Sequence, residues 1–310
     1  MTVRGENAVR RRIRSCEAAG LEVELSWHGV TDVGLRREVN QDSYVATPPI
    51  FAVADGMGGH AGGDVASAIV VEEFEGLAGA AYDPREGADV ISAALERSQR
   101  RIHDYSARQQ PQGGTRWYAG TTAVVAMLVQ DKGHHKWLLA NLGDSRIYRL
   151  AGGALEQVSV DHSVVQELVD AGRISVESAR LHPQRHVITR AVGAADANRP
   201  DLWLVPALPG DRLLICSDGI SAELSADVIE HEVAAGGAAQ QVADALLDIA
   251  LRAGGRDNIS IVVVDVLGDA MLEGATIPTG RWDDERTLPR LPDRDLGPGR
   301  HAADEDSQEE

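Results

Sequence analysis

Five aspartates carry the chemistry that can be read from this chain. Each stands at the edge of an apolar run beside a small or polar turn residue. Asp42 follows Asn40-Gln41, Asp55 ends FAVAD, Asp144 lies in NLGDSR, Asp218 ends LLICSD, and Asp257 lies in GRDNIS. Asp-Gly and Asp-Asn are ordinary turn dipeptides, so any one of them alone reads as a turn residue. The repetition makes the case: at Asp55 and again at Asp218, an apolar strand runs into Asp-Gly. If those strand ends converge, the carboxylates share one pocket and cannot all stay ionised there without cations. Two divalent ions bridged by one carboxylate meet that need and lower the pKa of a bound water to near neutrality. An oxygen-only donor set suits Mg²⁺ or Mn²⁺, and no Cys/His cluster with zinc spacing is present.

The stretch IFAVADGMGGHAGGDVA, residues 50–66, is the centre of this pattern. Glycines after a strand-end carboxylate let backbone oxygen and carboxylate approach one ion together. Gly56, Gly58 and Ala61 also fit a loose dinucleotide-binding turn. That turn needs a second strand ending in an acid about 20 residues on, where Ile69–Leu77 reads as helix. No Gly-Lys-Ser/Thr follows to make a P-loop, and no G-x-S-x-G elbow supports a serine hydrolase. His60, beside the glycines, is the best-placed histidine for proton transfer. His162, in VDHS, is a helix cap or structural residue before it is a site residue. Arg37, five residues before Asp42, is a candidate for bidentate binding of an anionic oxygen.

The elements that must position these residues alternate in blocks. Strand patterns cover Glu24–Thr31, Tyr44–Thr47 and Ile50–Ala54, followed by helical patterns from Val65 to Phe74 and from about Arg85 to Arg108, with Pro84 in the first turn. Four strands follow closely, at Gly120–Val129, Lys136–Asn141, Ser145–Leu150 and Leu155–Val158, and their short connections require antiparallel pairing. Residues 161–186 read as polar and helical. Strands resume at His186–Ala191, Asp201–Val205 and Leu213–Ser217, then helices at Ser225–Ala235 and Ala238–Ala253, then a last strand at Ile259–Val266. Runs of strands separated by helix pairs describe an α+β domain with helices covering antiparallel sheets, not a doubly wound parallel sheet.

Composition bounds the rest. The chain has 310 residues, 43% of them hydrophobic, enough for a sizeable core. A formal net charge of −18 argues against nucleic acid and anionic membrane as partners. Two distant cysteines, Cys16 and Cys216, form no disulfide framework, and no apolar run approaches a membrane span. A cytoplasmic setting is therefore expected. Residues 1–22 read as a basic N-terminal extension, 23–267 as the folded domain, and 268–310 as an acidic, disordered tail.

The motifs GLRREVNQDS, VADGMGGHAGGDVAS, AGTTAV, NLGDSRIY, DHSVVQELVDAGRIS, HPQRHVITRAVG, LLICSDGI and GRDNISIVVV, in this order, resemble the bacterial branch of the metal-dependent type 2C Ser/Thr protein phosphatases. The resemblance runs from about Leu25 to Val266. It implies a four-layer α-β-β-α sandwich with two central, mostly antiparallel sheets. By the same resemblance Asp55 bridges two core Mn²⁺ or Mg²⁺ ions, Gly56 offers its carbonyl to the second, and Asp218 and Asp257 bind the first. Asp42 contacts metal-bound water, Asp144 joins Asp218 around a third, weaker ion, Arg37 binds phosphate, and residues 161–188 form the flap beside the site. Met57 stands where eukaryotic members carry a histidine acid, which leaves His60 as the candidate catalytic acid. Gln41 replaces a glutamate found in many members.

The implied activity is hydrolysis of phosphoserine and phosphothreonine in proteins by a monomer, opposing Ser/Thr protein kinases. The alternatives are a phosphatase-like module that binds phosphopeptides or a kinase, and a phosphatase for small phosphate esters. The acidic tail replaces the membrane span of the transmembrane members, so a stand-alone form is expected.

Overall fold

The computed structural model describes residues 12–13, 23–58, 62–109, 118–194 and 199–269. Within them lie two six-stranded sheets. The first runs, in order, through β1 (Arg12–Ile13), β2 (Val23–Asp32), β12 (Ile259–Asp269), β11 (Arg212–Cys216), β8 (Arg146–Ala151) and β9 (Ala154–Gln157). The second is ordered β10 (Asp201–Pro206), β7 (His134–Leu142), β6 (Ala123–Asp131), β4 (Ile50–Met57) and β3 (Asp42–Thr47), with the short β5 (Gly120–Thr121) also on β4. All pairings are antiparallel.

Alternation along the strands builds three apolar layers. In β4, Phe51 and Val53 pack between the sheets, while Ile50, Ala52 and Ala54 face α1 (Gly63–Glu75) and α2 (Pro84–Gln109). In β12, Val262, Val264 and Val266 face the other sheet. Ile259, Ile261 and Val263 face α6 (Ala226–Ala234) and α7 (Ala239–Ala253). Because both faces of these strands are covered, their sequences are nearly continuous apolar runs. Helix α1 buries Ala66, Ile69, Val70 and Phe74, and α7 buries Val242, Ala243, Leu246 and Ala250, each a stripe at helical spacing. Asp83 caps α2 by accepting from the Arg85 and Glu86 amides at 2.7 and 2.9 Å. The result is the four-layer α-β-β-α sandwich.

Three expectations are corrected. His186–Ala191 forms no strand. The backbone there makes only isolated bridges, Ser163 with Ile188 and Thr121 with Val192. Strand β8 does not pair with β7, despite the short link. The chain crosses from one sheet to the other over Gly143–Ser145, at a glycine with φ +123°. Residues 161–186 hold only two short helices, α3 (Val164–Asp170) and α4 (Val176–Ala179). A helix absent from the sequence reading, α5 (Asp218–Glu223), begins at one of the aspartates. The basic extension lies outside the described residues apart from Arg12–Ile13, which add a two-residue strand to the edge of β2. The acidic tail lies outside them too, beyond Asp269.

Candidate metal centre

Strands β3 and β4 form a hairpin whose register sets Asp42 directly opposite Asp55. Directly opposed residues share a face, so both carboxylates sit at the open end of the hairpin on the side of Phe51 and Val53, toward the other sheet. The Asp55 backbone is fixed at both polar groups. Its amide donates to Thr122 Oγ1 at 3.0 Å, and its carbonyl accepts from Thr121 Oγ1 and the Thr122 amide, both at 2.9 Å. Gly56 follows in a space that admits no side chain. A Cβ there would lie 2.1 Å from the Gly63 carbonyl oxygen and 2.4 Å from that of Gln41.

The other sheet supplies the facing wall. Asp218 follows β11 as the first residue of α5, and Asp257 stands in the loop before β12. Their backbones meet closely, since a Cβ on Gly219 would fall 2.1 Å from the Asn258 carbonyl oxygen. Ser217 and Ser260 continue the inter-sheet faces of β11 and β12. Ser217 Oγ accepts from the Ser260 amide at 3.0 Å, and Ser260 Oγ lies 2.7 Å from Thr31 Oγ1. Asp144 rides on the crossing between the sheets. Its neighbour Ser145 is tied to the Asp55 support by a 2.7 Å contact with Thr122 Oγ1.

The electrostatics describe acids short of a counter-charge. Burial, then repulsion from Asp42, Asp218, Asp144 and Asp257, holds the Asp55 carboxyl well above the usual range. Burial lifts Asp42 to about 7, against the nearby Ser217 and Ser260 hydroxyls and with help from Asp218 and Asp257. Those hydroxyls make their well-formed bonds elsewhere, and neither Oδ atom of Asp42 has a hydrogen-bond partner. Burial, then Asp218 and Asp161, lifts Asp144 to about 8. Asp218 is raised by burial and by Asp257, and Asp55 lies within hydrogen-bonding reach of it. Orphaned buried carboxylate oxygens with no nitrogen or sulfur donor among them fit a hard divalent cation. Among the described residues no three His, Cys, Asp or Glu side chains are drawn together tightly enough to hold an ion alone. Backbone carbonyl and water must complete any coordination shell, as such ions accept.

Arg37 lies on the loop between β2 and β3. Its Nη2 donates to Asp257 Oδ2 at 2.7 Å. His60 lies outside the described residues. His162 does not cap α3, because Ser163 does, accepting from the Gln166 amide. Instead His162 Nδ1 accepts from the Gly143 amide at 3.0 Å, and its Nε2 faces Asp201 and Arg190. It pins the Asp144 turn to the start of the segment that carries α3 and α4. Thr121, Thr122, Ser217, Ser260 and Asn258 escape the sequence reading. The available signal was a buried polar residue interrupting or abutting an apolar run, as in TTAVVAMLV and NISIVVV.

The protein phosphatase 2C family model matches residues 36–248, which takes in Arg37, Asp42, Asp55, Asp144 and Asp218. The chain belongs to that family. The serine/threonine protein phosphatase PstP of Mycobacterium tuberculosis is 36% identical over 274 residues, 87% of this chain and 51% of PstP. The chain thus spans about half the length of that protein phosphatase 2C relative. The serine/threonine phosphatase stp of Listeria monocytogenes is 33% identical over 243 residues, 76% of this chain and 93% of stp. The crystal structure of M. tuberculosis PstP superposes with a TM-score of 0.70 at 35% identity, covering 79% of this chain and 99% of that one. A PstP catalytic domain in complex with two manganese ions gives 0.67 at 32% identity, with the same coverage of 79% and 99%.

Proposed function

We propose that this chain is a metal-dependent phosphatase acting on phosphoserine and phosphothreonine in proteins. One observation carries the reading. In a protein phosphatase 2C domain, the buried Asp42, with both carboxylate oxygens unpartnered, stands opposite the half-buried Asp55. Asp55, Asp218, Asp257 and the Gly56 carbonyl would hold two Mn²⁺ or Mg²⁺ ions. Asp42 would act through water, and Asp144 with Asp218 would hold a third, weaker one. Such ions supply an activated water near neutral pH and neutralise phosphoryl charge.

The chain's own groups orient the reaction. The Asp55 carboxylate, carried on a backbone that Thr121 and Thr122 fix, would set where the nucleophile stands relative to phosphorus. Arg37 is exposed, already at the cluster, and able to leave Asp257 for two phosphoryl oxygens, placing positive charge where negative charge moves in the transition state. His60 remains the proposed proton donor to the leaving serine or threonine oxygen. The counterpart of the reaction is a Ser/Thr protein kinase, and the domain is proposed to act as a cytoplasmic monomer. Among the described residues no helix is long and apolar enough to cross a membrane. Nothing in the site favours the binding-module alternative.

The test is phosphate release from a phosphothreonine peptide with Mn²⁺, with Mg²⁺ and with excess EDTA, beside Asp55→Ala. Metal-dependent release that disappears in the variant is the expected result. A folded, metal-binding protein with no release under either metal would return the binding module.

A further inference from the structure

The loop that carries Arg37 has almost no packing of its own. Leu35 through Val39 are all exposed, with Leu35 at 64% and Val39 at 57%. Apolar burial therefore cannot fix its shape, and hydrogen bonds must. One comes from the loop's own start, where Asp32 Oδ1 accepts from the Gly34 amide at 2.8 Å, and one from the turn before β12, where the Gly255 carbonyl accepts from the Leu35 amide at 2.6 Å. Three more, on both sides of Arg37, come from one side chain more than 200 residues away, Asn258, itself only 6% exposed. Its Nδ2 donates to the Val33 carbonyl at 2.9 Å and to the Val39 carbonyl at 3.0 Å. Its Oδ1 accepts from the Gln41 amide at 2.9 Å.

A side-chain amide has two N–H donors and one carbonyl acceptor, and here each is committed to this loop. Aspartate keeps the shape but has no donor for the two carbonyls. Alanine and serine cannot span them. The same residue reaches the opposite side of the site through its backbone. The Asn258 amide donates to Asp257 Oδ1 at 2.8 Å, while Asp257 Oδ2 receives Arg37. Asn258 thus sets both the loop that presents the guanidinium and the carboxylate on which it rests.

We propose that Asn258 is a positioning residue for Arg37, fixing the 33–41 loop so that the guanidinium stands over the carboxylate cluster where a phosphoryl group would bind. The inference rests on the phosphatase reading and adds to it a residue that touches neither phosphate nor ion through its side chain.

The experiment uses the full chain with Mn²⁺, p-nitrophenyl phosphate as substrate and inorganic phosphate as competitive inhibitor. Arg37→Ala should weaken phosphate inhibition and raise KM. Asn258→Ala and Asn258→Asp should do the same, by about tenfold each, and should add less than about twofold on top of Arg37→Ala. A merely structural role predicts the opposite: a lower Tm with KM and the inhibition constant unchanged. That outcome overturns the proposal. Should neither variant fold, amide exchange on the wild-type protein decides. The Gln41 amide, bonded to Asn258, should exchange on the order of 10²-fold more slowly than the Arg37 amide, and equal rates would refute the inference. Wild-type turnover in the same assay separates the two readings. An inactive wild type with a protected Gln41 sinks the phosphatase reading and leaves the loop's anchor standing.

Discussion

Two groups of wholly or partly buried acids are treated in opposite ways. At the two ends of the segment from Asp161 to Asp201 each carboxylate has its own cation. Arg146 clasps Asp161 through Nε at 3.0 Å and Nη2 at 2.6 Å, and Arg190 holds Asp201 at 3.1 Å with His162 alongside. The His162 contact and Arg190 hold the Asp201 carboxyl well below the usual range. At the strand ends, Asp42, Asp55, Asp144 and Asp218 face one another, and all are pushed up. The only arginine donating a hydrogen bond within the cluster, among the described residues, is the exposed Arg37 on Asp257. The first group is a finished structural joint. The second is a set of acids for which the proposed cation comes from outside the chain.

The sharpest way to break this contrast is to remove an acid from each group. Asp218→Asn should lower kcat/KM with Mn²⁺ by about 10³-fold or more, roughly 4 kcal/mol. The same variant should raise Tm in EDTA, because a desolvated, repelled charge is gone. Lower activity together with lower metal-free stability would move Asp218 into the paired group. Asp161→Ala should do the reverse, leaving Arg146 without its partner. Urea unfolding should show a loss of about 2–4 kcal/mol, toward the low end of buried pairs because the arginine is partly exposed.

The pH dependence follows from the sign of each shift. Asp42 and Asp144 have folded-state values raised to about 7 and about 8. Their contribution to metal-free stability is complete below the ordinary carboxylate range and is lost as pH rises through those values. Tm in EDTA should therefore fall between pH 5 and pH 8.5, and saturating Mn²⁺ should flatten the slope. The lowered Asp201 works the other way: its contribution is present at neutral pH and lost only in strong acid. A metal-free Tm that rises across that interval would contradict the account of the cluster. The smallest effect belongs to Arg37→Ala. With its side chain 53% exposed and that of Asp257 34% exposed, the pair should contribute under about 1 kcal/mol to unfolding, despite the large kinetic role proposed for the arginine.

Much of this was legible in the chain itself, for physical reasons that differ by residue. Strands such as β4 and β12 declare themselves because both faces are buried, and the aspartates are visible because each ends or begins such a run. The two sheets are less legible. The link from β7 to β8 is short enough for a hairpin, yet a glycine at φ +123° sends it across the sandwich, at a place where a Cβ would lie 2.6 Å from the Thr122 side chain. His186–Ala191 has strand-like residues but makes only the isolated bridge from Ile188 to Ser163. The supports of the site are the least legible, since their meaning lies in distant partners. Thr122 matters through Ser145, 23 residues on, and Asn258 through Val33, 225 residues back.

The placement of the acids on the two sheets has one more consequence. Asp42 and Asp55 belong to one leaf of the sandwich, and Asp218 and Asp257 to the other. A cation seated among them is a rivet driven through both leaves. At a free concentration of 100 times its dissociation constant, such an ion adds about 2.7 kcal/mol to the resistance of the whole domain to unfolding. The ion supply would then govern the lifetime of the molecule as well as its turnover. In a depleted cell the leaves would part more often, and proteases would clear the protein itself.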